Sequence, residues 1–299
     1  MNDTKPFKSG FVAIVGAPNT GKSTLMNRML GEKISITSAK PQTTRNRILG
    51  VIHRPDAQLV LLDTPGIHQA KEPLNVRIVD EAVSAMADAD VLLLLLDADH
   101  PDETSETLLL KKITALSVPV ILAINKVELI TKEALLALID KWAKTFDFKA
   151  VVPISAATGD QVDRLLNEME ALMPWGPPFF PEDTLTDLPQ RFIVAEIIRE
   201  KVFRLTGQEI PYATAVTVDS YKVKGGGKIV HINATIHLER DSQKGIIIGK
   251  QGQKLKKIGE DARLEIERMI ETRVFLKLFV RVQKNWSRDT KALRRFGYG

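Results

Sequence analysis

Gly16-Ala17-Pro18-Asn19-Thr20-Gly21-Lys22-Ser23 fits the spacing G-x-x-x-x-G-K-[ST] at every fixed position. The apolar run Phe11 to Val15 ahead of it predicts a strand, and Lys22 to Leu30 behind it predicts a helix. A turn in that place points backbone N–H groups and the positive end of a helix dipole at one spot, which makes a cradle for phosphate oxygens. Gly16, Ala17, Pro18, Asn19, Thr20 and Gly21 form the cradle and Lys22 reaches the β and γ oxygens. Ser23, followed by Thr24, opens the helix and offers a hydroxyl to Mg²⁺. The bland alternative is a plain glycine-rich turn, and the flanking strand and helix argue against it.

Outward from this loop, short apolar runs alternate with helical periodicity. Strands are predicted at Leu49 to Ile52, Leu59 to Leu62, Val91 to Leu96, Val120 to Ile124 and Val151 to Ile154, and helices at Val76 to Ala87, Glu103 to Ala115, Lys132 to Thr145 and Gln161 to Met173. Six strands and five crossovers predict a three-layer α/β domain with a mainly parallel sheet over residues 1–173. Five prolines between Pro174 and Pro189 break any regular element, so residues 174–189 read as a linker. Residues 190–299 then read α-β-β-α-α-β, a smaller α+β domain.

Composition agrees with two folded domains: 299 residues, 44% apolar and 26% charged. With no cysteine there is no disulfide, thiolate metal site or cysteine nucleophile, which suits a reducing cytoplasm. Val91 to Leu96 is far short of the roughly 20 apolar residues that span a bilayer, and Met1 to Lys8 is polar, so neither a spanning segment nor a signal peptide is expected. Charge is uneven. Residues 1–180 hold 19 Lys and Arg against 22 Asp and Glu, net −3, and residues 181–299 hold 23 against 15, net +8. The second part is therefore the one expected to meet a polyanion.

Three further motifs lie at predicted strand ends. Asp63-Thr64-Pro65-Gly66 follows Leu59 to Leu62, where a carboxylate can hold a Mg²⁺-bound water and the Gly66 amide can touch a γ-phosphate. Asn125-Lys126-Val127-Glu128 follows Val120 to Ile124, where a carboxylate accepting from two purine donors favours guanine over adenine. Ser155-Ala156 ends the next strand and can offer a backbone amide to the base oxygen. Alone, D-x-x-G is usually a turn and N-K-x-E a helix cap; their order after the first loop carries the weight.

That set resembles the translation-factor class of small GTPases. The resemblance implies GTP and GDP as ligands and Mg²⁺ held by Ser23, Thr44 and Asp63, with Thr44 coming from a switch-like Pro41-Gln42-Thr43-Thr44-Arg45. It makes Lys22, Thr44 and Gly66 the catalytic set. Glu128 stands where the family has Asp, one methylene longer. Ile67 stands where Ras-like GTPases carry a water-orienting glutamine, so slow intrinsic hydrolysis is expected. In related enzymes a loop asparagine matching Asn19 helps to hold a potassium ion in place of an arginine finger.

Gly245-Ile246-Ile247-Ile248-Gly249-Lys250-Gln251-Gly252 followed by Gln253 to Gly259 resembles the I-I-G-x-x-G core of a KH domain, and the element order resembles its type II form. In that module two glycines let a nucleic-acid backbone approach and the second helix points its amides at phosphates, over a groove for about four unpaired nucleotides. Ile248, Gly249, Lys250, Gln251, Gly252, Lys254, Lys256 and Lys257 are the expected RNA contacts, while Ile246, Ile247 and Ile258 supply floor or core. The segment 272–299 adds eight Lys and Arg, with Trp286, Phe296 and Tyr298 either stacking on bases or belonging to a frayed tail.

A GTPase domain followed by a KH domain resembles the Era-like family of bacterial ribosome-assembly GTPases. This implies a monomer that binds the 3′ end of 16S ribosomal RNA, assists maturation of the 30S subunit, and resides in the cytoplasm with peripheral contact at the inner membrane. Two other classes stay open on the residues alone: a P-loop kinase or ATPase with a nucleic-acid-binding tail, and a peripheral membrane GTPase whose basic half binds anionic lipid.

Overall fold

The computed structural model describes residues 6–38, 44–67, 73–207, 210 and 214–296. The chain divides into two compact units, the first holding most of residues 1–187 and the second residues 188–299 with the short segments 36–43 and 72–77.

The first unit holds a six-stranded sheet in the order β2-β3-β1-β4-β5-β6. Its strands are β1 (Lys8–Val15), β2 (Ile48–Arg54), β3 (Ala57–Asp63), β4 (Val91–Asp97), β5 (Val120–Asn125) and β6 (Ala150–Pro153). Helices α1 (Lys22–Leu30), α2 (Pro73–Ala87), α3 (Glu103–Thr114), α4 (Lys132–Ala143) and α5 (Val162–Leu172) accompany them. All seven residues of β4 are buried, as a continuous apolar strand requires when helices cover both sheet faces. Five of the six strands run parallel; β2 is antiparallel to β3. The expectation of five crossovers is corrected here. Pro55-Asp56 closes a tight hairpin between β2 and β3, and two residues leave no room for a crossover helix.

The proline-rich stretch is laid along this unit's edge. Val51 N–H donates to the Leu185 carbonyl at 2.8 Å, Ser9 N–H to that of Pro174 at 3.0 Å, and the Gln58 amide oxygen accepts from Phe179 and Phe180 N–H at 2.7 and 3.0 Å. Prolines cannot donate, but their segment supplies one carbonyl to the edge strand β2 at Val51 and one to the start of β1 at Ser9.

In the second unit α6 (Gln190–Leu205), α7 (Asp241–Ile248) and α8 (Gln253–Ile270) pack on one face of a sheet ordered β7 (Thr214–Lys224), β8 (Ile229–Leu238) and β9 (Arg273–Val282). The even-numbered residues Val230, Ile232, Ala234, Ile236 and Leu238 of β8, with Val274 of β9, enter the core alongside Ile247, Ile258, Ala262 and Ile266. As far as Phe296 the tail is folded, and Trp286 and Phe296 are packed rather than free stacking rings. Trp286 is 0% exposed, Phe296 meets its ring edge-on at 5.2 Å and lies tilted by 39° against His237 at 4.5 Å, and α9 (Thr290–Arg295) buries Ala292 and Leu293. Apolar area, not charge, decided that placement. Tyr298 lies outside the described residues. Trp286→Ala is expected to lower the stability of this unit by about 3–5 kcal/mol, read from its urea transition; a change under about 1 kcal/mol would show the tail to be dispensable.

Candidate functional site

The carboxyl ends of β1, β3, β5 and β6 bring the predicted motifs of the first unit together, as open α/β sheets do. Gly21 sits ahead of α1 with φ 98°, and a Cβ there would meet the Asn125 side-chain nitrogen at 2.3 Å, so only glycine fits. Asn19 is exposed at the crown of the loop, with φ 66°. The buried Lys22 ammonium donates to the carbonyls of Gly16 at 3.1 Å and Ala17 at 2.7 Å. Burial pulls its pKa down to about 8, against the opposing pull of the Asp63 charge. Thr20 donates to the Ala17 carbonyl at 3.1 Å and closes the turn. Thr24 is half-buried in the first turn of α1.

Asp63 ends β3 fully buried. Its Oδ2 accepts from the hydroxyls of Ser23 at 2.7 Å and Ser35 at 2.8 Å, and Thr44 lies 2.8 Å from Ser23, oxygen to oxygen. Burial pushes the Asp63 carboxyl up, while the Ser23 hydroxyl, the Lys22 charge, and then Ser35 and Thr44 pull it down. Its Oδ1 is buried without a partner among the described residues. A carboxylate oxygen lacking a partner beside two hydroxyls is a donor set of hard oxygens, which fits Mg²⁺. Thr64 donates to the Ile14 carbonyl at 2.8 Å, Pro65 is buried, and Ile67 N–H donates to the Gly16 carbonyl at 3.2 Å. Gly66 lies so close to the first loop that a Cβ would stand 2.8 Å from Pro18 Cα. The Ile67 side chain is buried in the core. Arg45 is buried beside Thr44, and Pro41, Gln42 and Thr43 fall outside the described residues.

At β5, the Asn125 amide donates to the Thr20 carbonyl at 2.7 Å and its oxygen accepts from Ala156 N–H at 2.9 Å. Lys126 adopts φ 66° and pairs with Asp97 at the end of β4. Glu128 is exposed on the short helical turn Val127–Leu129. Ser155 N–H donates to the Asp160 carbonyl at 3.1 Å, so the backbone amides of Ser155 and Ala156 both have partners here.

In the second unit, α7 ends at Gly249 (φ 72°), Lys250–Gly252 forms a tight turn, and Gly252 (φ 77°) precedes α8. A Cβ on Gly249 would stand 2.7 Å from Lys254 Cβ, whereas Gly252 has open space around it. Lys250 and Gln251 are exposed and Lys254 is half-buried beneath the turn. Lys256 and Lys257 lie one turn further along α8, paired with Glu260 at 3.9 Å and Asp261 at 2.8 Å. A hydrogen bond from Lys257 to Asp261 and the Asp261 charge hold the Lys257 ammonium above the usual lysine range. Ile247 and Ile258 are core, Ile248 is half-buried, and Ile246 is exposed.

Comparison with known proteins matches this division. The family described as "50S ribosome-binding GTPase" matches residues 11–126, and the KH domain matches residues 209–287. GTPase Era of Geotalea uraniireducens is 54% identical over 98% of this chain and 99% of that protein, and GTPase Era of Geobacter metallireducens is 55% identical over the whole of both. Among solved structures, Era in complex with MgGDPNP and nucleotides 1506–1542 of 16S ribosomal RNA superposes with TM-score 0.94 at 42% identity, covering 98% of this chain and 99% of that one. A variant of Aquifex aeolicus Era bound to GDP and aluminium fluoride gives TM-score 0.94 at 41% identity, over 98% and 100%. The chain belongs to the Era family of GTPases.

Three residues that build this Era-family site carry no motif signal. Ser35 bonds Asp63 across 28 residues, Asp97 neutralises Lys126, and Arg28 binds the Ala156 carbonyl at 3.3 Å and that of Ala157. Asp97 had one available sign, a lone acid ending an apolar strand. The double bond of Asn125 gives a direct expectation. Asn125→Ala leaves the Thr20 carbonyl and the Ala156 N–H buried without this partner, a loss of about 2–4 kcal/mol from two unpaired groups, read as a lowered thermal midpoint of the first unit. An unchanged midpoint would show the two loops to be held by other contacts.

Proposed function

We propose that this GTPase binds GTP and GDP with Mg²⁺ at the first-unit site and unpaired RNA at the Gly249–Gly252 turn, the RNA being the 3′ end of 16S ribosomal RNA. The single observation that carries the reading is the close superposition on an Era structure holding both kinds of ligand. Residues 1–173 serve as the nucleotide module and residues 190–299 as the RNA module, with cycles of GTP hydrolysis assisting 30S maturation by a monomer in the cytoplasm. Peripheral contact with the inner membrane would rest on the basic second part, since no described helix is long and apolar enough to cross a membrane.

The chemistry follows from the donors present. Backbone amides from Gly16 to Ser23 cradle the phosphates, and Lys22 places its ammonium against them. Ser23, Thr44 and Asp63 would hold Mg²⁺, which supplies charge neutralisation on the phosphate oxygens. The Gly66 amide reports on the γ-phosphate because the close approach to Pro18 couples the two loops. Asn125, Lys126 and Glu128 form the guanine side with Ser155 and Ala156. Since Ile67 is turned into the core, water must be oriented by other groups and intrinsic turnover is slow; a potassium ion beside Asn19 would supply the charge an arginine finger brings elsewhere.

Two independent sites predict separable losses. Lys22→Ala should abolish nucleotide binding and leave RNA affinity near normal. Gly252→Asp should do the reverse, since the position is open and the strain of a left-handed Asp is about 1–2 kcal/mol. Fluorescence anisotropy with labelled GDP and with a labelled 3′-end oligoribonucleotide checks both, and joint loss in either variant would refute the assignment.

Lys22 also sets a pH dependence. Its ammonium, free at about pKa 8, gains an anionic partner when phosphate binds, so its pKa rises on binding. Above about pH 8 binding then takes up a proton, and affinity falls by up to about tenfold per pH unit. Calorimetry of GDP binding in buffers of different ionisation enthalpy should show uptake of about three-quarters of a proton near pH 8.5 and about one-quarter at pH 7.5. Equal heats in all buffers at both values would remove Lys22 from the phosphate.

A further inference from the structure

The three-stranded sheet of the second unit keeps α6, α7 and α8 on one face; on the other, Phe296 at the end of α9 covers His237, and the rest is open among the described residues. Alternation decides which side chains lie there: the even-numbered residues of β8 and β9 enter the core, so the odd-numbered ones face outward. The register then sets them in rows across the strands. Lys222, His231 and Phe275 stand opposite one another, then Ser220, Asn233 and Lys277, then Thr217, Thr235 and Phe279.

Phe275 is 53% exposed and Phe279 44%, unusual for rings in the middle of a strand. Each is already held in place by a neighbour. His231 lies 5.1 Å from Phe275 at an interplanar angle of 35°, and the Lys277 ammonium sits 5.0 Å over the Phe279 ring. The two rings are four residues apart on one face, about 13 Å at the rise of a parallel strand. The charged side chains on the same face are Lys222, Lys277 and Arg281, with Lys224 and Arg273 in the row at the end of the sheet and Asp219 at the bulge of β7. Both Asp219 oxygens accept hydroxyls, from Thr217 at 3.2 Å and Thr235 at 2.6 Å.

We infer that this face is a second RNA-binding surface, a stacking platform on which Phe275 and Phe279 take two unpaired bases while Lys222, Lys277 and Arg281 meet the intervening phosphates. The inference rests on the reading of the second unit as an RNA module, and it adds a surface that the turn at Gly249–Gly252 and the helices α7 and α8 do not form. Rings interleaved with cations are the composition of a sheet that binds single strands; every base has a face to stack, and the lysines track the backbone. A protein partner would leave the excess of positive charge without a role unless it were acidic, and a second copy of this chain would set like charges against each other.

The test uses the full chain and a 20-nucleotide single-stranded oligoribonucleotide carrying 4-thiouridine. Photocrosslinking should give adducts on two peptides, one spanning Gly249–Gly252 and one spanning β9. Phe275→Ala with Phe279→Ala should lose the β9 adduct, retain the other and weaken binding of the oligonucleotide about tenfold or more. Both rings are exposed, and an unchanged thermal melt verifies the fold. Lys222→Ala with Lys277→Ala should make the log-log salt slope shallower by about 0.7 for each phosphate these lysines neutralise. Adducts on the turn alone, with equal affinity in the double phenylalanine variant, would overturn the platform and leave the RNA module standing. No adduct on either peptide would overturn both. Self-association of the wild-type chain that disappears in the double phenylalanine variant would assign the face to a second copy instead.

Discussion

One side chain ties together the loops on which the first unit's chemistry depends. Asn125 carries an amide NH2 and an amide oxygen, and it uses the first on the Thr20 carbonyl and the second on Ala156 N–H. Those groups belong to loops following β1 and β6, two strands separated in the sheet by β4 and β5. β1 and β6 are not neighbours in the sheet, so no ladder between them brings their loops together, and the side chain spans the gap. The close packing this needs is what excludes a Cβ at Gly21. The phosphate loop and the base side are therefore one structural object, and the asparagine of the Asn125–Glu128 motif is as much a part of the Gly16–Ser23 loop.

The same edge holds two buried charges that the protein keeps in tension. Lys22 is driven toward its neutral form and Asp63 toward its own by the same loss of water, and each opposes that drift in the other. Burial in both cases is the leading cause, and the mutual attraction only partly offsets it. Such an arrangement is poor as a stabilising ion pair and well suited to ligands that bring the missing charges, a phosphate for one and a cation for the other. The sheet carries the cost: β3 and β4 are buried along their whole lengths.

Where periodicity and local chemistry agree, the elements are legible from residues alone. Helix α1 has the expected ends, Lys22 to Leu30, because left-handed glycines, Gly21 and Gly31, stand on either side of it. The hairpin of β2 and β3 is hidden in the sequence because a two-residue Pro-Asp turn between buried strands looks like any short break. Ser35 on Asp63 is hidden for another reason: a hydrogen bond across 28 residues leaves no spacing to read. Trp286 lies among basic residues whose charge says surface, and its burial is decided by ring area meeting Phe296. The outward rings of β9 stand in a strand where every second residue is Arg, Phe or Lys, so composition alone cannot say which face is core.

The two sites share a device despite unrelated folds. Helices α3, α4 and α9 begin with Asp102, Thr131 and Asp289, whose side chains accept from the first-turn amides. Helices α1 and α8 begin with Gly21 and Gly252, both left-handed and neither offering a side-chain acceptor. A Ser or Asp at either place would satisfy the orphan amides from within the chain and, in the case of Asp, set a negative charge where an anion must come. Glycine leaves the amides to the ligand and allows the loop to turn sharply enough to aim them. The missing side-chain cap leaves each of these helix starts open to an anion, and the two differ in what surrounds it: a buried Lys22 and Asp63 at the first, exposed Lys250 beside a shallow turn at the second.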